Sequence, residues 1–240
     1  MRTWLQILNT MVSTLRLYKT KRINLPLREG ESINILGNAP NVKNCSIDFS
    51  LPSMVTNGFA IDPEFYKKVK PSYYIFCDDK FFDPACYNTE LMINEMNKRD
   101  WTMNILSPKP IRHDRVINKN YRYNKTTIDG FERFVLWCMK HNLGMPSPAN
   151  VLIPCLVLSV NMGYKEIHLY GFEFSWYKES IFKEKLNKIH FYDEPCIIKY
   201  QDLETITYTL YKTVYGLNIV KKYADAHKVK IINHSEFKII

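Results

Sequence analysis

Glycine and acidic side chains are both scarce in this chain. Only 8 of its 240 residues are glycine and 12 are proline, which excludes collagen-like and low-complexity sequence. Its 24 acidic residues are outnumbered by 33 lysines and arginines, leaving a formal charge of +9. None of the six cysteines (Cys45, Cys77, Cys86, Cys138, Cys155 and Cys196) forms a Cys-x-x-Cys pair or sits with a histidine at zinc-ligand spacing. Large gaps between them exclude a small disulfide scaffold and read as free, mostly buried thiols in a reducing cytoplasm. The first 22 residues contain no apolar run long enough to span a bilayer, and no continuous apolar centre with a small-residue cleavage site.

What is present is ordinary globular material, 46% hydrophobic and 24% charged, which excludes a disordered chain. Aromatic residues reach 14%, with 16 tyrosines, a composition suited to sites for sugars, bases and lipid head groups. The basic excess favours anionic partners: nucleic acid, nucleotide phosphates or an acidic membrane surface. No nucleic-acid recognition motif accompanies it, and the basic residues are spread, so a nucleic-acid partner is not expected.

Trp4, Ile7, Leu8, Met11, Val12, Leu15 and Tyr18 recur at helical spacing, and Arg16, Lys19, Lys21 and Arg22 follow. Such a helix suits an anionic inner leaflet, packing on its own domain, or contact between copies in a homo-oligomer. Residues 1–26 therefore read as an N-terminal amphipathic helix and linker, and 27–240 as one domain.

Within that domain short apolar strands alternate with helices. Ile33-Asn34-Ile35-Leu36 runs into Gly37-Asn38-Ala39-Pro40, and Met54-Val55 into Thr56-Asn57-Gly58. Residues 72–77 close on Asp78-Asp79, residues 102–106 form a further strand, and Ile167-His168-Leu169-Tyr170 closes on Gly171. Helices are expected over 89–99, 129–141, 149–162 and 202–226, a last strand over 229–232, and a polar loop over 109–127. This order predicts an α/β fold, a mostly parallel sheet with helices on both faces. Ligands of such sheets bind beyond the carboxyl ends of the strands, where the four polar turns gather.

Three segments carry a resemblance. The run from Ile33 to Pro40 resembles the strand and Gly-Asn-Gly-Pro-Ser opening of bacterial lipooligosaccharide sialyltransferases of the CMP-sialic-acid-dependent type, shared with MptE-like pterin pyrophosphokinases. Met162-Gly163-Tyr164-Lys165-Glu166-Ile167-His168-Leu169-Tyr170-Gly171-Phe172-Glu173-Phe174 resembles the family's Gly-Tyr-Lys-Glu-Ile turn, strand and Gly-Ile-Asp-Phe end. His190-Phe191-Tyr192 is similar to the segment around its catalytic histidine. The blocks fall in the family's order over most of the chain from Ser32 onward.

The resemblance implies a GT-A-like nucleotide-binding domain with a lid over about 175–200. It implies an inverting glycosyltransferase that uses a CMP-sugar donor, needs no metal or other cofactor, and builds a bacterial surface glycan such as lipooligosaccharide or capsule. Gly37, Asn38, Asn57, Asp78, Asn150, Gly171, Phe172 and Glu173 would hold the donor, and His190 would be the general base. Arg112, Arg115 and Arg122, in a basic stretch with Tyr121 and Tyr123, would meet an anionic glycan or glycolipid acceptor. Ser175 stands where the family has a tyrosine that helps the phosphate leave, so Tyr177 or Tyr192 would take that part. The stretch between Phe174 and His190 is also shorter than in the family. The donor would therefore be CMP-sialic acid, a related CMP-activated acidic sugar such as Kdo or a nonulosonate, or a different nucleotide sugar, and the protein is expected in the cytoplasm or at the inner face of the membrane.

Each of these residues has a structural alternative. Gly37 suits a tight turn, Asn38 and Asn57 tolerate left-handed backbone, and Asp78-Asp79 suits a turn or helix cap. Glu173 could pair with a lysine, and Trp176 with Tyr177 could stack on a sugar or simply pack. Two other functions remain open: an MptE-like pyrophosphokinase on a pterin, which would require Mg²⁺ and ATP, and a non-enzymatic basic nucleic-acid-binding protein.

Overall fold

The computed structural model describes residues 2–18, 20–21, 23–82, 87–111, 118–173 and 202–235. Among them seven strands pair into one sheet: β1 (Ser32–Leu36), β2 (Ser53–Thr56), β3 (Tyr73–Ile75), β4 (Met103–Ser107), β5 (Asn118–Arg122), β6 (Glu166–Tyr170) and β7 (Lys230–Asn233). Their order is β5-β4-β3-β2-β1-β6-β7, and every ladder is parallel. The helices are α1 (Arg2–Leu17), α2 (Pro63–Val69), α3 (Tyr87–Lys98), α4 (Glu132–Lys140), α5 (Leu152–Met162) and α6 (Leu203–Ala226).

The pleat divides the strand side chains between two cores. Ile33, Ile35, Met54, Tyr73, Ile75, Ile167 and Leu169 pack with α4, α5 and α6. Leu36, Val55, Tyr74, Met103 and Ile105 pack with α2 and α3 on the other face. A parallel sheet covered on both sides needs apolar residues at nearly every strand position, which is why these strands read as continuous apolar runs. Helix α5 buries every residue but Asn161. Each fully buried leucine or isoleucine contributes about 1.5–3 kcal/mol, so α5 is the central strut of its layer.

Two elements depart from expectation. The expected loop over 109–127 contains β5, whose polar sequence Asn-Lys-Asn-Tyr-Arg pairs with β4 alone and lies at the sheet edge. An edge strand needs less apolar material, and charge there discourages pairing with another chain. Helix α2 was not expected at all. Asp62 caps it, its Oδ1 accepting from the Phe65 N–H at 2.9 Å, and Pro63 supplies the first-turn geometry. The α5 helix also starts at Leu152 rather than at 149, and the Asn150 Oδ1 accepts from the Leu152 N–H at 2.8 Å.

Cys45, Cys77, Cys138 and Cys155 are free thiols, and burial pushes Cys138 up to about 11 and Cys155 well above the ordinary value. Cys86, Cys196 and the expected lid lie outside the described residues. Among the described residues no helix is long and apolar enough to cross a membrane.

Candidate functional site

The direction of strand addition reverses at β1, which has β2 on one side and β6 on the other. At such a switch point the following turns diverge and open a crevice at the carboxyl edge. Here the turn after β1 and the turn after β6 touch. The Gly37 N–H donates to the Tyr170 carbonyl at 2.8 Å, and the Ala39 N–H donates to the Gly171 carbonyl at 3.2 Å. Gly171 takes φ of +71°, which disfavours any side chain. Glu173 accepts a hydrogen bond from Asn41 Nδ2 across this crevice. The Phe172 ring is buried in the core under α5 and α6, and its backbone N–H bonds Ser235 Oγ at 3.1 Å.

Asn38 donates from Nδ2 to the Thr56 carbonyl at 3.2 Å, linking the ends of β1 and β2. Its Oδ1, the Oδ1 of Asn41 and the Oγ1 of Thr56 are buried and have no hydrogen-bond partner among the described residues. A buried acceptor left unpaired costs about 1–3 kcal/mol, and native folds pair nearly all of them. Three such oxygens near one strand edge call for N–H or O–H donors from outside the described residues, which the rest of the chain or a ligand's base amino group or ribose hydroxyls would supply. Asn41 and Thr56 escape sequence reasoning. The only cue is the second asparagine in Gly-Asn-Ala-Pro-Asn and a hydroxyl ending an apolar strand.

Asn57 is differently employed. It sits at φ +46°, its Oδ1 accepts from the Cys77 N–H at 3.0 Å, and its carbonyl accepts from Tyr74 Oη at 2.5 Å. Both groups stitch the end of β2 to the end of β3. Asp78 is exposed beyond β3. Asp79 pairs with Lys109 Nζ at 3.1 Å and Lys125 Nζ at 3.5 Å. The Lys109 hydrogen bond, with the charges of both lysines, holds its carboxyl below the usual range. Lys125 also donates to the Cys77 carbonyl at 2.6 Å, while burial pushes the Cys77 thiol up.

These groups line a cleft of about 720 Å³ over the ends of β3, β4 and β5 and the turn before α5. Lys109, Lys125 and Lys212 border it, with Asp79, Tyr123 and Ser147. Asn150, beside that turn, uses its Oδ1 on the Leu152 N–H at 2.8 Å. The carboxyl edge thus has an asparagine-rich part at β1, β2 and β6, which also holds the Glu173 carboxylate, and a cationic part at β3 to β5. Arg122 lines an adjoining, smaller cleft of about 560 Å³ with Lys21 and Tyr121, and its Nη2 bonds the carbonyl of Pro108, which borders both clefts, at 3.4 Å. His190, Tyr177, Tyr192, Trp176, Arg112 and Arg115 lie outside the described residues. Among the described residues no group of three histidine, cysteine or acidic side chains is placed to hold a metal ion.

No protein-family model and no curated protein matches this chain. Among solved structures it is similar to the sialyltransferase CstII from Campylobacter jejuni in complex with cytidine-5′-monophosphate. The identity is 13%, over 86% of this chain and 80% of that one, with a TM-score of 0.49. It is also similar to an alpha-2,3-sialyltransferase from Campylobacter jejuni in apo form, at 15% identity over 92% of this chain and 81% of that one, TM-score 0.48. A third structure, CST-II in complex with a trisaccharide acceptor and CMP, gives 14% identity over 84% and 80%, TM-score 0.45.

Proposed function

We propose that the protein is a glycosyltransferase that moves an acidic sugar, sialic acid-like or Kdo-like, from a CMP-activated donor to a hydroxyl of a bacterial surface glycan. The observation that carries this reading is the meeting of two of the sialyltransferase-like sequence blocks. Residues 33–40 and 162–174, far apart in the chain, join at the strand switch point through the Ala39 to Gly171 hydrogen bond. Support also comes from the buried oxygens of Asn38, Asn41 and Thr56 beside that junction, which have no partner among the described residues.

The chemistry follows from the donor. An acceptor hydroxyl attacks the anomeric carbon from the face opposite the phosphate. A new C–O bond forms, the bond to the CMP phosphate breaks with its electron pair on the phosphate oxygen, and the configuration inverts. His190 takes the acceptor proton, a role suited to an imidazole that titrates near neutrality. Tyr177 or Tyr192 donates a hydrogen bond to the departing phosphate as its charge develops. The donor's cytosine and ribose lie over Gly37, Asn38 and Gly171, and no metal takes part.

The test is titration with CMP, UMP and GMP by calorimetry, followed by donor hydrolysis in the matching sugar series. Binding of CMP and release of CMP from an acidic-sugar donor are expected, unchanged by EDTA. Absence of binding to any CMP species rejects the donor. His190→Ala should lower turnover by roughly 10²–10⁴-fold with CMP affinity nearly intact, and wild-type turnover in that variant removes His190 as the base.

The lysine-bordered cleft favours one competing reading, since three lysines suit a polyphosphate. An MptE-like pyrophosphokinase would consume ATP in the presence of Mg²⁺ and a pterin and stop on addition of EDTA.

A further inference from the structure

Helix α1 is seated on the protein by its polar side. Asn9 Nδ2 bonds Asp129 Oδ2 at 3.3 Å, Thr10 Oγ1 accepts from the Phe131 N–H at 3.0 Å, and Arg16 Nη1 reaches the Thr127 carbonyl at 3.3 Å. Ser13, almost fully buried, clasps Asp129 from both sides: its hydroxyl donates to the Asp129 carbonyl and accepts from the Asp129 N–H, each at 2.9 Å. Gly130 makes the approach possible, since a Cβ there would lie within 2.1 Å of Thr10 Oγ1. Residues 9, 10, 13 and 16 share one face by the helical period.

The opposite face is apolar and open. Trp4 is 77% exposed, Leu8 56%, Met11 61% and Leu15 76%. Tyr18, just beyond the helix, is also exposed. A helix belonging only to a soluble domain turns its apolar stripe inward. Here the inward face is already used by hydrogen bonds, so the apolar stripe is left for something outside the described residues. The charge pattern selects the occupant. Residues 1–22 contain Arg2, Arg16, Lys19, Lys21 and Arg22 and no acidic residue. Two copies apposed through this stripe would bring like charges together, whereas an anionic lipid surface attracts them. Tryptophan and tyrosine toward the two ends of such a stripe suit the level of the lipid head groups.

We infer that α1 docks the protein on an anionic bilayer, lying in the interface with Trp4, Leu8, Met11 and Leu15 buried among the acyl chains. The helix is already folded onto its seat before it meets lipid, so no ordering of the segment opposes binding. The Thr127 carbonyl that Arg16 holds belongs to a residue lining the lysine-bordered cleft, so that cleft is tied to the docked helix. The inference is independent of the sugar-transfer reading, because the membrane test needs neither donor nor turnover.

The experiment is flotation of the full chain with phosphatidylcholine vesicles, with and without phosphatidylglycerol. Partitioning is expected onto the phosphatidylglycerol vesicles only, weakening as salt is raised. Leu8→Glu with Leu15→Glu should reduce it by at least roughly tenfold. Both side chains are exposed, so the thermal midpoint should stay unchanged. Lys21→Glu should weaken binding and its salt dependence together. No flotation with the anionic vesicles overturns the inference. So does a homodimer, seen by light scattering, that the leucine substitutions convert to monomer.

Discussion

A Cβ placed on Gly37 would lie 2.3 Å from the carbonyl oxygen of Gly171. The turns after β1 and β6 can therefore touch only while position 37 has no side chain. The obstacle is backbone, which cannot swing aside as a flexible side chain would. This contact closes the floor of the switch-point crevice and sets Asn41 beside Glu173.

Gly37→Ala is expected to force the two turns apart and to cost about 1–3 kcal/mol, the range for overpacking a tight site. Thermal denaturation should register the loss. CMP affinity should fall further than stability alone explains, because the crevice changes shape. A variant with wild-type CMP affinity would show that the ligand does not rest on this junction.

Asn38 and Asn57 should separate in mutagenesis. Asn38→Ala removes an oxygen that has no partner among the described residues together with the Nδ2 bond to the Thr56 carbonyl, so it should cost about 1 kcal/mol of stability and reduce CMP affinity by roughly tenfold or more. Asn57→Gly preserves the positive φ and removes the bond to the Cys77 N–H. It should lower the midpoint, at a cost of about 1–3 kcal/mol for the orphaned buried N–H. Calorimetry beside thermal melts distinguishes the two.

Asp79 tempers the lysine-bordered cleft. Lys109, Lys125 and Lys212 give +3 and Asp79 takes it to +2. Asp79→Asn should therefore raise affinity for an anionic probe such as inorganic pyrophosphate about threefold at low salt, an effect that fades as ionic strength rises. Equilibrium dialysis at two salt concentrations measures it.

Acid should uncap α6. Hydrogen bonds from the Thr205 N–H and hydroxyl to Asp202, each 2.8 Å, hold its carboxyl below the usual range. A carboxyl depressed in the folded state stabilises fully above its unfolded value of about 4, and the contribution is lost as pH falls through the lower folded value. Asparagine caps without titrating. The midpoint of wild type should therefore fall relative to Asp202→Asn between about pH 5 and about pH 3, and parallel curves would reject the cap.

The legible parts of this fold are those where burial dictates residue type. The β1 run Ile33-Asn34-Ile35-Leu36 and the all-round apolar α5 announce themselves because a parallel sheet covered on both faces admits little else. β5 is hidden because an edge strand answers to one neighbour. α2 is hidden because its core contribution is only Phe65, Tyr66 and Val69, although Asp62-Pro63 marks its start. At the site, turn positions such as Gly37 and Gly171 are visible from the strands they follow. The employment of each side chain is not, because partners lie far away in sequence. Asn38 and Asn57 both stitch strand ends on the same edge, yet only the fold shows that Asn38 keeps an oxygen with no partner among the described residues while Asn57 uses both its groups. The inverted seating of α1 is equally invisible, since the same stripe would serve for burial or for exposure.

Asn41 and Glu173, hydrogen-bonded across the crevice, stand 132 positions apart in the chain. β1 therefore waits for β6 through the whole intervening run of strands and helices, and closing so long a loop precedes any reward from the contact. During synthesis the first turn emerges early and has nothing to hold. A ribosome-bound chain halted before β6 should leave CMP unbound even with β1 to β5 in place, and nucleotide added during refolding should be captured only in the last phase.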